Sequence, residues 1–218
     1  MYRPPQFDET RVDVLHRAIG THPLGLLIRT GSEGLTADSI PFLVAASPEP
    51  FGRLQAHVAR ANPLWRELAD GDEVLAVFSG PQHYVTPGWY ETKRETGKVV
   101  PTWNYVMVQA HGRVAIRDDA DFIATQIRAL TERHESGRAA AWSVDDAPAD
   151  FLAAQMRAIV GIEITITRLI GKWKVSQNRP LTDRAGVVAG LGAETDAAAP
   201  AMAELVQATM APASPIDR

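Results

Sequence analysis

The chain has 218 residues, enough for one large domain or one domain with appendages. It has no cysteine, which removes disulfides, Cys-ligated zinc, iron–sulfur clusters and thiol catalysis, so any redox chemistry must come from an organic cofactor or from a metal held by His and carboxylates. Hydrophobic residues make up 45% and charged residues 22%, as in ordinary globular proteins, and a net charge of −4, with 22 basic residues scattered among 26 acidic ones, argues against DNA binding as the main activity.

Asp8 to Gly20 opens the chain as a helix, with Val12, Leu15, Ala18 and Ile19 at helical spacing. Leu24 to Arg29 is a strand ending at the turn residue Gly31, and Leu35 to Val44 follows as its hairpin partner. Pro41 cannot donate to a ladder, so it assigns that second strand to an edge or a bulge. Phe51 to Val58 is a third strand. Asn62-Pro63 reads as a cap and first turn of a helix reaching Asp70 and ended by Gly71.

Glu73 to Ser79 and His83 to Thr86 are strand candidates, and Val99 to Arg117 carries the longest strand pattern. Asp118 to Gly137 and Ala149 to Ile159 are amphipathic helices. Gly161 to Lys174 returns to strand, with Ile162, Ile164 and Ile166 alternating with Glu163, Thr165 and Thr167. The Ala- and Pro-rich stretch from Ala193 to Arg218 is expected to hold one helix and a frayed end. Six or so antiparallel strands with three or four helices predict a barrel rather than a parallel sheet. No apolar run is long enough to cross a bilayer, and no signal-peptide core follows Met1-Tyr2-Arg3-Pro4-Pro5, so the expected location is the cytoplasm.

Four segments concentrate chemistry. In Leu54 to Trp65, His57 and Arg60 bring donors and positive charge to a strand end where a helix is expected to start, the combination that clamps a phosphate. The plainer reading makes His57 a satisfied barrel histidine and Arg60 a surface residue. Val100-Pro101-Thr102-Trp103-Asn104-Tyr105 pairs aromatic faces with a hydroxyl and an amide, suited to a flat ring or simply to a core. Gly80 to Tyr90 is a Pro- and Gly-shaped aromatic stretch, either a rigid hairpin or a roof for a flat ligand. Gly171 to Pro180 holds Lys172, Lys174 and Arg179 with Ser176, Gln177 and Asn178, denser in cations than a solvated face needs, with a charged loop as the common plain outcome. Dinucleotide, P-loop, zinc-protease and nucleophile-elbow signatures are missing, and the six histidines lack metal-ligand spacing.

Taken together the segments resemble the PaiB family, the FMN-binding negative transcriptional regulators. The resemblance is carried by Met1-Tyr2 with Pro4 and Phe7, by Ile40-Pro41-Phe42, by His57-Val58-Ala59-Arg60-Ala61-Asn62-Pro63, by Val100 to Tyr105 and by Gly171 to Arg179. It spans Met1 to about Leu191, which frames residues 1–191 as one split-barrel domain and 192–218 as a C-terminal helix and tail.

It implies an antiparallel, mainly β split barrel with flanking helices, of the kind shared with pyridoxamine-phosphate oxidases, and a homodimer with FMN at the subunit interface. In that fold the phosphate place falls on His57, Arg60 and Asn62, with Ser39 beside the flavin ring. Thr102, Asn104, Lys174, Ser176, Gln177 and Asn178 then line the rest of the pocket, one segment coming from the partner chain. Two functions follow for the flavin, regulation without direct base reading or hydride transfer with Tyr84, His83 or His57 as candidate acids. The alternative cofactor is haem b with His57 as axial ligand and Arg60 on a propionate, since piperazate synthases resemble PaiB relatives.

Overall fold

The computed structural model describes residues 1–32 and 34–211, and the expected frayed end at 212–218 lies outside them. The elements run β1 (Asp8–Glu9), α1 (Val12–Thr21), β2 (Leu24–Gly31), β3 (Gly34–Pro41), β4 (Leu43–Ala45), β5 (Arg53–Ala59), β6 (Glu73–Val85), α2 (Glu91–Thr96), β7 (Thr102–Arg117), α3 (Ala120–Glu135), α4 (Ala149–Arg157), β8 (Ile159–Lys174), α5 (Leu181–Gly192) and α6 (Ala199–Ala208). The strands form one eight-stranded sheet in the order β3-β2-β6-β7-β8-β5-β4, with β1 added on β8. The β2–β3, β2–β6, β4–β5, β5–β8 and β1–β8 ladders are antiparallel, so the expected mainly β, antiparallel class with flanking helices is the observed one. Among the described residues no helix is long and apolar enough to cross a membrane, and no cluster of three or more His, Asp or Glu is arranged to hold a metal.

The chain forms two compact units, one of Arg11–Phe78 and Gln109–Ile170, the other of Met1–Thr10, Ser79–Val108 and Gly171–Arg218. We call them the larger and the smaller unit.

The larger unit is built by strand alternation. Leu54, Ala56 and Val58 of β5 and Ile162, Ile164 and Ile166 of β8 are buried, while Arg53, Gln55 and His57 face the other way. Leu15 and Ile19 of α1 are likewise buried, and Phe42 meets Phe78 edge to face at 5.7 Å. Gly161 lets α3 approach β8, because a Cβ there would stand 2.5 Å from the Phe122 ring.

Two sequence expectations are corrected here. The strand expected over Leu35–Val44 breaks at Pro41; Phe42 N–H bonds the Pro23 carbonyl at 2.9 Å, and β4 resumes on β5 rather than on β2. The helix expected from Asn62 to Asp70 is one 3-10 turn over Pro63–Arg66. The following segment is claimed by β7 instead, through Gly71 N–H to Val114 O at 2.8 Å and Ile116 N–H to Asp70 Oδ1 at 2.8 Å. Those tertiary bonds offer the backbone more than another helical turn would.

The smaller unit packs around Val85, Tyr90, Val106, Val175, Val187, Leu191, Ala199, Met202 and Val206. Here α5 runs across the expected boundary at Leu191, and α6 shares the same core. Trp89 lies against α5 where Gly186 and Gly190 leave room; a Cβ on Gly186 would fall 1.9 Å from the Trp89 carbonyl oxygen. The buried carboxylate of Asp183 accepts from Thr92 N–H and Oγ1–H, each at 2.9 Å, and so ties α5 to α2. Neither α2 nor α5 shows in the sequence as an amphipathic pattern, since α2 is polar throughout and α5 is dominated by small residues. The two strand candidates Glu73–Ser79 and His83–Thr86 are parts of the single strand β6.

Candidate functional site

The smaller unit holds a groove of about 370 Å³ lined by Ser79, Gly80 and Gln82 of β6 and Trp103, Tyr105, Val106 and Met107 of β7. Trp103 and Tyr105 are two apart on β7, so both present to the same face. Trp103 is half exposed, donates its indole N–H to Gln82 Oε1 at 3.2 Å, and meets Tyr84 edge to face at 6.1 Å. The groove therefore offers flat apolar walls with one amide at the edge.

Two lysines of β8 flank it. Lys174 Nζ donates to Thr102 Oγ1 and, at 2.8 Å, to the Trp103 carbonyl, and lies 6.0 Å from the Tyr105 ring. Lys172 Nζ is 5.2 Å from the same ring. Among the described residues neither makes an ion pair with a carboxylate. Burial, then Lys172, then Arg179 hold the Lys174 ammonium below the usual lysine range. The site is thus cationic and short of counter-charge.

The expected site residues fall into distinct environments. Thr102 and Lys174 stand at the groove, bonded to each other. Asn104 and Ser176 point inward and are buried, with Asn104 Nδ2–H donating to Ser176 Oγ at 2.8 Å and Asn104 Oδ1 left without a partner. Ser176 has a positive φ of 66°, the left-handed turn that ends β8. Gln177 folds back on its own strand, accepting from Val175 N–H at 2.8 Å and donating to the Trp173 carbonyl. Asn178 is exposed.

The remaining four lie in the larger unit. Asn62 Oδ1 accepts from Leu64 N–H at 2.9 Å and caps the 3-10 turn. Arg60 is committed to the fold: its guanidinium grips both oxygens of Asp118 and donates to the carbonyls of Arg157 at 2.8 Å and Ile159 at 3.0 Å. His57 Nδ1 lies 2.7 Å from Gln126 Oε1 of α3. Ser39 stands opposite Leu26 on the outer face of the β2–β3 hairpin, where Leu24, Leu26 and Leu35 are exposed.

Sequence reasoning left Lys172, Tyr105 and Gln82 off the site. Their signal was present in the alternation: Lys172 shares its face with Lys174, and Tyr105 shares its face with Trp103.

The model of the family described as "Putative FMN-binding domain" matches residues 1–168. Protein AN0679 of Emericella nidulans is 37% identical over 226 residues, covering 87% of this chain and 90% of its own. Protease synthase and sporulation protein PAI 2 of Bacillus subtilis is 28% identical, covering 95% of this chain and 97% of its own. Among solved structures, the flavocytochrome Anf3 from Azotobacter vinelandii shares the fold with a TM-score of 0.62 at 14% identity, covering 79% of this chain and 72% of that one.

Proposed function

The chain belongs to the FMN-binding split-barrel family that includes PaiB of Bacillus subtilis, and from that membership we propose that it is a redox flavoprotein holding FMN against the Trp103–Tyr105 groove. One observation carries the placement: the groove joins flat aromatic walls and an amide edge to a half-buried lysine, Lys174, that lacks a carboxylate partner.

Those residues fit the group. Trp103 and Tyr105 offer faces to an isoalloxazine ring, and Gln82 offers an amide to a ring edge. FMN is anionic through its phosphate and gains negative charge on reduction, so a cation fixed by Thr102 and the Trp103 carbonyl favours both states. Bound FMN would supply one- and two-electron redox chemistry; the chain's part is to bind, orient and charge-balance it. Arg60, with its donors taken by Asp118 and the Arg157 and Ile159 carbonyls, is not assigned a cofactor role.

We further propose a homodimer in the cytoplasm. Leu24, Leu26 and Leu35 are 64%, 42% and 80% exposed on one hairpin face, an apolar patch of the kind that marks protein interfaces. A two-fold partner would cover that face and bring its own copy of it. Any role in transcription would then act through the flavin or a protein partner, in keeping with the net charge of −4.

A second reading, haem, is favoured by His57. Its Nδ1 lies 2.7 Å from Gln126 Oε1, which orients the ring and leaves Nε2 outside that contact, as the second-shell partner of an axial histidine does.

The test is uptake from solution. FMN added to the purified protein should lose its fluorescence and be retained on gel filtration at a mass twice 23.7 kDa. Failure to retain FMN, with haemin producing a Soret band that His57→Ala abolishes, would replace the flavin reading by the haem one. Elution at the single-chain mass would refute the dimer.

A further inference from the structure

Lys172 is only 6% exposed, yet among the described residues its ammonium has one hydrogen-bond acceptor, the Tyr2 carbonyl at 2.9 Å. The Tyr2 and Tyr105 ring centres lie 5.6 Å and 5.2 Å from Nζ. Asp8 is its register partner across the β1–β8 ladder, but the Asp8 carboxylate is turned to Arg3 Nε at 3.0 Å. Burying an ammonium without a counter-charge is costly, and aromatic faces offset that cost only in part. Among the described residues Lys172 is therefore a charge without a carboxylate partner. It is separate from Lys174, whose donors are turned to Thr102 and the Trp103 carbonyl.

We propose that Lys172 is a second anion subsite beside the flavin, taking the carboxylate of a small organic acid. The inference rests on the flavin reading for its neighbour, and its chemistry follows from donor count. An ammonium has three N–H donors; the Tyr2 carbonyl takes one, and two remain for the two oxygens of a carboxylate. The Tyr2 and Tyr105 rings flank the ammonium, so the body of the acid meets aromatic surface and a flat, unsaturated acid packs best.

Benzoate is the probe, and benzamide its neutral counterpart of the same shape. FMN-saturated protein is titrated with each, read by calorimetry and by the perturbation of the flavin absorption bands. Benzoate is expected to bind and benzamide to bind about tenfold more weakly or worse, the scale of one charge-assisted hydrogen bond. Lys172→Met, saturated with FMN, should no longer bind benzoate, and Lys172→Arg, which keeps the charge, should restore it. Benzoate that displaces FMN would overturn the proposal by merging the two sites. So would benzoate that fails to bind the wild type, or that binds Lys172→Met unchanged. If FMN itself does not bind, the flavin reading fails alone. Benzoate calorimetry on the FMN-free protein then still decides the subsite: dependence on Lys172 supports it and independence overturns it.

Discussion

Trp103→Ala separates the groove from every other candidate cofactor site. The ring is 50% exposed in the free protein, so about half of a side chain that can bury ~200 Å² is open to a ligand. A flat ring laid on one face would cover roughly 50 Å² of it and lose a matching ~50 Å² of its own surface. At ~25 cal/mol per Å² that contact is worth about 2.5 kcal/mol, and its loss should raise the FMN dissociation constant about 60-fold. The fold should barely notice, because the contacts given up, the Gln82 hydrogen bond and the Tyr84 edge, lie at the exposed surface. Quenching of FMN fluorescence gives the affinity and thermal unfolding gives the control. Trp142 is equally exposed at 48% but lines a cavity with Arg128, Glu135 and Val144 in the larger unit, so Trp142→Ala should leave FMN binding unchanged. Equal FMN affinity in Trp103→Ala and wild type would refute the placement, whatever the family does elsewhere.

Other perturbations probe the rest of the reasoning. Arg60→Ala should lower thermal stability and leave FMN affinity within about twofold, since its donors already serve Asp118 and two carbonyls; a large affinity loss in a stably folded variant would return the phosphate to Arg60. The same hydrogen bonds hold the Asp118 carboxyl below its ordinary 3.8, so that pair stabilises above this value and is lost as pH falls through the lowered one, and Asp118→Asn should remove that part of the acid sensitivity.

Lys174 titrates in the opposite sense. Its folded pKa is lowered, chiefly by burial, so the unfolded chain keeps the proton longer and stability should rise as pH climbs from the folded value toward 10.5. FMN affinity should fall over the same window as the ammonium is lost, and Lys174→Met should flatten both profiles. Gly186→Ala should destabilise by about 3 kcal/mol in urea, because α5 must move off the Trp89 carbonyl; a neutral result would show that the helix shifts freely.

The groove suggests why these residues are placed as they are. A strand delivers side chains to one face at every second position, and β7 and β8 use that period to set two aromatics beside two lysines. The inward positions of the same strands, Asn104 and Val106 on β7, anchor the wall to the core of the smaller unit.

Much of this was written in the chain. Alternating Ile162, Ile164 and Ile166 with Glu163 and Thr165 specified β8 and its buried face, because period 2 is a local property that needs no partner to be read. The Val100–Tyr105 and Gly171–Arg179 segments read by composition as well as a core pair and a charged loop as they did as a pocket, and the family resemblance placed them in a split barrel.

What the sequence could not decide was who satisfies whom. Arg60 reads as a free cation beside a helix start, but Asp118 and the Arg157 carbonyl, 58 and 97 residues away, take its donors. Asn62-Pro63 carries a sound helix-start signal, yet β7 captures the backbone of Asp70 and Gly71 and leaves a single turn. The segment beyond Leu191 reads as a helix and tail, and what the sequence leaves open is where that helix packs: Met202 and Val206 are buried in one cluster with Val187 and Leu191. For Arg60 and for Asn62-Pro63 the local signal was real and a long-range partner outweighed it. Propensity contributes only tenths of a kcal/mol per residue, whereas a satisfied charge or a buried side chain contributes about 1 kcal/mol or more.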